Sequence, residues 1–169
     1  MVPLGWTSPM NTPVRVLFVC LGNICRSPLA EGAFKRHVSN TGHTQSFFVD
    51  SAGTSGYHAG ELPDTRSIDV AAAHGVDITQ QRSRALTRMD FERFDYIVAM
   101  DRSNLKNIRR LAPTPSTAKL SLILSEVFPE PRDVPDPYYG GADGFENVWR
   151  MVDEATEALL SRLNRESES

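Results

Sequence analysis

Apolar positions along this chain switch repeatedly between two periods. Residues 14–20, Val14-Arg15-Val16-Leu17-Phe18-Val19-Cys20, form a β-branched run that predicts a strand. A short loop with one glycine follows, and from Arg26-Ser27-Pro28 the apolar step changes to three and four through Leu29, Ala33, Phe34 and Val38. That is a helix, with Asn40-Thr41-Gly42 as its stop signal and His37 flanking its buried face. Residues 46–53 predict a second strand that runs into a Gly- and Ser-rich loop ending at Gly60. Asp64 is placed to cap a helix of small residues, Ile68, Ala71 and Ala72, that stops at His74-Gly75.

Residues 80–93 are polar, and Arg82, Arg84, Arg88 and Arg93 predict a solvated face there. The continuous apolar run 96–100 predicts a strand covered on both sides. Asp101 then caps a helix carrying Leu105, Ile108 and Leu111, which Pro113 and Pro115 keep from continuing. Residues 118–124 are the fourth strand candidate, followed by a proline-rich stretch through Gly141 that contains Asp133, Asp136, Tyr138 and Tyr139. A long irregular segment inside one small domain is more often functional than a mere linker. Asp143 is expected to cap the last helix, whose stripe Phe145, Val148, Val152, Ala155, Leu159 and Leu163 is core; residues after Asn164 are expected to fray.

Strands separated by helices imply right-handed crossovers. The expected fold class is therefore α/β: a single-domain, open, parallel four-stranded sheet flanked by helices on both faces, Rossmann-like in arrangement. Residues 1–13, with three prolines and little periodicity, are set aside as a flexible leader. Residues 14–164 form the expected domain, and 165–169 a frayed tail. In such sheets ligands sit beyond the carboxyl ends of the strands, where Cys20 lies.

The 169 residues carry a formal charge of −3, which gives no support to bulk nucleic-acid or membrane binding. No apolar stretch approaches the ~20 residues that span a bilayer, and no signal-peptide pattern opens the chain. Two cysteines five apart cannot form a disulfide framework, so a reducing, cytoplasmic setting is expected. Those two cysteines lack further ligands at zinc-like spacing and the four histidines are scattered, so no metal and no cofactor is expected. There is no internal repeat and no dinucleotide-binding glycine motif.

The chemistry concentrates in the loop after the first strand. A loop entering a helix presents unpaired N–H groups and the positive end of the helix dipole, so it attracts anions and favours thiolate over thiol. The residues between Cys20 and Arg26 can curl so that their N–H groups converge on tetrahedral oxygens, with the Arg26 guanidinium donating to two of them. Ser27 fits either as the helix N-cap or as a hydroxyl donor to the Cys20 sulfur.

The run Cys20-Leu21-Gly22-Asn23-Ile24-Cys25-Arg26-Ser27-Pro28 resembles the active-site loop of the low-molecular-weight protein tyrosine phosphatases, and Asp136-Pro137-Tyr138-Tyr139 resembles that family's general-acid loop. The resemblance spans about residues 14–163. It implies metal-independent hydrolysis of phosphotyrosine through a cysteinyl-phosphate, with Cys20 as nucleophile and Arg26 holding the phosphate. Leu21, Gly22, Asn23, Ile24, Cys25 and Ser27 complete the phosphate loop, and Asp136 serves as acid and then base, with Asp133 its local competitor. It further implies Tyr57, Tyr138 and Tyr139 at the pocket rim, with His58 either there or on a plain surface turn. Ser51 and His74 are expected to stiffen the loop through Asn23. Cys25 is implied as a redox partner that traps oxidised Cys20, and Tyr138 and Tyr139 as phosphorylation targets. Expected partners are tyrosine-phosphorylated proteins or peptides, with inorganic phosphate or other oxyanions as product or inhibitors, and a monomer is expected.

Two other readings stand beside it. A thioredoxin-coupled arsenate reductase would share the fold and loop, but it relays a disulfide to later cysteines, and none follows Cys25. A phosphotyrosine-binding module without catalysis should have lost the nucleophile, the arginine or the acid, and all three candidates stand.

Overall fold

The computed structural model describes residues 12–168. Most of the leader proposed above, and Ser169, therefore lie outside the described residues. Four strands, β1 (Val14–Cys20), β2 (Phe47–Gly53), β3 (Tyr96–Ala99) and β4 (Lys119–Leu122), form one parallel sheet in the order β2-β1-β3-β4. The chain leaves β1 to one side for β2 and returns on the other for β3. Cys20, at the carboxyl end of β1, thus sits where the strand order reverses, the usual crevice for ligands in open sheets.

Alternation along β1 explains the layering. Val16, Phe18 and Cys20 face a core formed with α1 (Arg26–Asn40) and α5 (Ala142–Glu168), where Phe34, Trp149 and Val152 are buried. Leu17 and Val19 face the opposite core with Phe91, Phe94, Leu105 and Ile108, the last two from α4 (Arg102–Leu111). Because every residue from Val16 to Val19 is fully buried, each face of the central strand needs a cover, and each has one. α2 (Thr65–Ala73) is capped by Asp64 and closed by Gly75 at φ +82°, and Gly42 at φ +76° follows α1, as the sequence predicts. No helix among the described residues is long and apolar enough to cross a membrane.

Three local expectations change. The polar segment 80–93 is not simply a solvated face: it buries Leu86 and Phe91, and contains a short helix, α3 (Asp90–Arg93). The last helix begins at Ala142, so Asp143 lies within its first turn rather than capping it. Beyond Asn164 the helix continues through Glu168. Its final turns are tied by Glu166, which accepts from Tyr96 Oη at 3.2 Å and from Arg162 at 2.8 Å. The first contact crosses from β3 to the helix and the second is an i,i+4 pair within it, and an apolar stripe registers neither.

Candidate active site

The loop after β1 is shaped by what its carbonyls do. Cys20 O accepts from Thr54 N, Leu21 O from Ser55 N, Gly22 O from Ser83 Oγ, Ile24 O from Asp64 N, and Cys25 O from Ser67 Oγ, at 2.8–3.3 Å. In a trans peptide the following N–H points opposite to the carbonyl. With these carbonyls drawn outward, the N–H groups of residues 21, 22, 23, 25 and 26 turn to the inside of the loop. That is an anion nest, built by flanking segments rather than by the loop alone. α1 adds the positive end of its dipole, opening at Arg26 with Cys25 at its N-cap and no side chain capping it. Of the two roles open to Ser27, the structure takes the second: its Oγ lies 3.1 Å from Cys20 Sγ.

Asn23 is the hub behind the loop. At φ +58° it is the only non-glycine residue with positive φ among the described residues, a conformation that persists only where surroundings over-determine it. Its Nδ2 donates to Ser27 Oγ (2.8 Å) and Ser51 Oγ (3.0 Å), its Oδ1 accepts from Arg84 N (3.1 Å), and its own N donates to Cys20 Sγ (3.3 Å). Ser51 Oγ in turn donates to Glu31 Oε1 at 2.6 Å. The direction of this chain follows from donor and acceptor bookkeeping. Glu31 only accepts when ionised, so Ser51 donates to it and accepts from Asn23; Ser27 also accepts from Asn23, which leaves its O–H to be shared between Cys20 Sγ at 3.1 Å and Ala52 O at 3.5 Å. Burial pushes the Glu31 carboxyl up, against the opposing pull of Lys35 and Ser51.

Arg26 closes the loop from the other side. It is buried, and its Nη1 donates to Asp101 Oδ2 (2.7 Å) and Val134 O (2.8 Å). Its Nη2 lies 3.8 Å from Asp136 Oδ2, so nucleophile loop and distant carboxylate meet at one guanidinium. Burial pulls its pKa down, yet Cys20, Asp101 and Asp136 outweigh this and hold it above the ordinary arginine value. Cys25 is also buried; that burial, with Asp64, Cys20 and Asp136 nearby, pushes its thiol up to about 12.

A cleft of about 580 Å³ opens above Cys20, lined by Leu21, Gly22, Ile24, Cys25, Arg26, Ser55, Tyr57, His58, Asp136, Tyr138 and Tyr139. Tyr57 and Tyr139 are 85% and 93% exposed, and each stands edge-on to a neighbour, His58 and Tyr138 respectively. Tyr138 is backed by the Arg66 guanidinium 5.5 Å from its ring centroid, itself clamped by Asp64. Asp133 does not line the cleft, because Arg102 holds its carboxylate through the backbone N and the guanidinium.

The structure therefore brings together every residue expected in the loop, rim and acid segment, with Asn23, Ser27 and Ser51 behind the loop. His74 is the exception. It lies at the C-cap of α2, its Nε2 2.9 Å from Glu146 and its ring stacked on Trp149 at 5.2 Å, and no bond to Asn23 or Ser51 is formed. The buttress expected of it comes from Glu31. Sequence reasoning also missed Arg84, grouped with a solvated face, and the second role of Asp101. The helix-cap signal at Asp101 was correct, since Oδ1 accepts from Asn104 N, but Oδ2 turns to Arg26.

Comparison with known proteins agrees with this geometry. The family described as "Low molecular weight phosphotyrosine protein phosphatase" matches residues 15–169. A low molecular weight phosphotyrosine protein phosphatase of Schizosaccharomyces pombe is 44% identical over 155 residues, covering 90% of this chain and 99% of the relative. A low molecular weight protein-tyrosine-phosphatase of Streptomyces coelicolor is 44% identical over 158 residues, covering 91% and 96%. The crystal structure of an Entamoeba histolytica protein tyrosine phosphatase superposes with a TM-score of 0.85 at 38% identity, covering 90% and 97%. With its loop, its acid segment and nearly its whole length matched, this chain belongs to the low-molecular-weight phosphotyrosine protein phosphatase family.

Proposed function

We propose that the protein dephosphorylates tyrosine-phosphorylated proteins or peptides by covalent catalysis at Cys20. The observation that carries this reading is the convergence of Cys20 Sγ, the Arg26 guanidinium and Asp136 on one cleft. The thiolate attacks phosphorus in line and the S–P bond forms as the P–O bond to the phenol breaks. Inward N–H groups and Arg26 take the equatorial oxygens, where charge accumulates. Asp136 gives its proton to the departing phenolate. As a carboxylate it then takes a proton from water, whose oxygen attacks the cysteinyl-phosphate; the S–P bond breaks, and phosphate and the Cys20 thiolate are regenerated. The sulfur, the donors and the carboxyl supply every step, so no metal or cofactor is called on.

The tyrosine-walled mouth supports an aryl rather than an alkyl phosphate. Cys25 lines the same cleft and would capture the sulfenic acid of oxidised Cys20 as a disulfide, its thiol proton and the sulfenic hydroxyl leaving as water; its raised pKa makes that capture slow. Tyr138 and Tyr139 are both exposed and accessible for phosphorylation. Residues 14–164 are proposed as the working domain, as a monomer in the cytoplasm, where two free thiols persist. The test is p-nitrophenyl phosphate turnover in EDTA. Cys20→Ser should abolish it and Asp136→Asn slow it by roughly 100- to 10,000-fold; an EDTA-sensitive rate, or phosphotyrosine peptide bound without phosphate release, refutes the mechanism.

A further inference from the structure

Residues 83–86 run past three parts of the site at once. Ser83 Oγ donates to Gly22 O (3.0 Å) and Arg84 N to Asn23 Oδ1 (3.1 Å), both in the phosphate loop. Gly53 N donates to Arg84 O (2.8 Å) and Leu86 N to Gly53 O (2.7 Å), at the carboxyl end of β2. Gly60 N donates to Ser83 O and Ser83 N to Glu61 O, both at 2.8 Å, on the segment that carries Tyr57 and His58. With the sheet this strap forms an isolated bridge, Gly53 to Ala85, rather than an extended ladder, so the sheet anchors it at one point.

The Arg84 side chain adds the anchor that ties this strap to the interior. Its Nη1 and Nη2 fork onto the two oxygens of Asp90 at 3.0 Å each, and its Nε donates to Asp50 Oδ2 at 3.1 Å. Asp90 is 1% exposed and accepts also from Thr87 N, which fixes the fork's far end inside the fold. Asp50 precedes Ser51, so the same guanidinium is anchored beside the chain that runs from Glu31 to Asn23. A planar fork matched to a carboxylate fixes direction as well as distance, which a lysine ammonium does not.

We infer that Arg84 is a positioning residue for the dephosphorylation reaction: clasped to Asp90 and Asp50, it holds the strap that keeps Asn23 in its left-handed conformation and the rim segment in register with the phosphate loop. The inference rests on the reading of that loop as the phosphate cradle. It separates Arg84 from an ordinary buried ion pair, because the backbone of this arginine, and not only its charge, touches the hub of the loop.

The deciding variant is Arg84→Lys, which keeps the charge and loses the fork. Arg162→Lys is its control: Arg162 likewise spans two carboxylates, Glu126 and Glu166, but lines no part of the cleft. Both should lower the melting temperature. Only Arg84→Lys should lower kcat/KM, by about ten- to a hundredfold as expected of a misplaced cradle, and it should weaken inorganic phosphate as an inhibitor in parallel. Amide exchange at position 84 should quicken as its bond to Asn23 loosens. Arg162→Lys should stay within about twofold of wild type in both kinetic measures. A folded Arg84→Lys protein with wild-type kcat/KM and phosphate inhibition overturns the inference. If that variant does not fold, Asp50→Asn, which removes only the half-exposed partner, decides in its place: an unchanged kcat/KM overturns the inference and a severalfold fall supports it. Should wild type itself show no turnover, the proposed function fails, and phosphate affinity measured by titration still tests the clasp.

Discussion

Replacing Asp101 by asparagine separates two jobs that one carboxylate does. Oδ1 caps α4 by accepting from Asn104 N at 2.7 Å, while Oδ2 accepts from Arg26 Nη1 at 2.7 Å. Asparagine caps a helix about as well as aspartate, so α4 should be untouched. Opposite Arg26, however, an amide N–H₂ now faces another donor. The lost contact is a charge-assisted hydrogen bond to a guanidinium that is only 2% exposed; such bonds contribute about 1.5–3 kcal/mol. At about 1.4 kcal/mol per factor of ten, that is roughly a ten- to hundredfold fall in kcat/KM. Arg26 would retain Val134 O at 2.8 Å, which keeps the acid segment docked and sets the upper bound. Asp101→Ala should show the same kinetic loss plus about 1 kcal/mol for the missing cap, seen as a melting temperature lower by about 2–4 °C. Steady-state p-nitrophenyl phosphate kinetics and thermal melts on both variants provide the measurement. Asp101→Asn with wild-type kcat/KM, or the two variants losing equal stability, would refute the division of labour.

Two further perturbations have definite signs. Because burial raises the Glu31 carboxyl above its unfolded value, the folded state holds an extra proton between the two pKa values, so wild-type stability falls as pH rises through that window. Glu31→Gln has no proton to lose, and its melting temperature should gain on wild type from pH 4 to 8; parallel curves would contradict this. A Cβ at Gly53 would stand 2.8 Å from Leu21 O and 2.9 Å from Ser55 O, both backbone. Gly53→Ala should therefore displace the phosphate loop, costing about 1–3 kcal/mol of stability and lowering kcat/KM more than a loss of folded protein explains, as activity normalised to the folded fraction would show.

What the sequence made legible was local. The strand β1 is legible in its run of apolar residues, the two-sided cover of β3 in the continuous run 96–100, and the anion loop in the residues between Cys20 and the start of α1. Asp64 and Asp101 announced themselves as caps because capping joins residues two or three apart. The contacts that were missed join residues far apart in the chain, and residue type alone did not choose among candidates. Glu31 is buried on a helix whose sequence signal is its apolar stripe, and nothing local tells that Ser51 will arrive opposite it. The resemblance implies the buttressing role for His74, a ring at a helix end, but its contacts go to Trp149 and Glu146. Arg84 looked like one more charge in a polar run because its partners Asp50 and Asp90 are set by the fold.

The phosphate loop lies within one short stretch of chain, whereas the carboxyl proposed to deliver a proton comes from a segment more than a hundred residues downstream, and Arg26 reaches both. Capture and proton delivery are thus separable inventions: a protein could keep the first intact while exchanging the second for another loop, provided the newcomer offers that guanidinium a carbonyl to lean on.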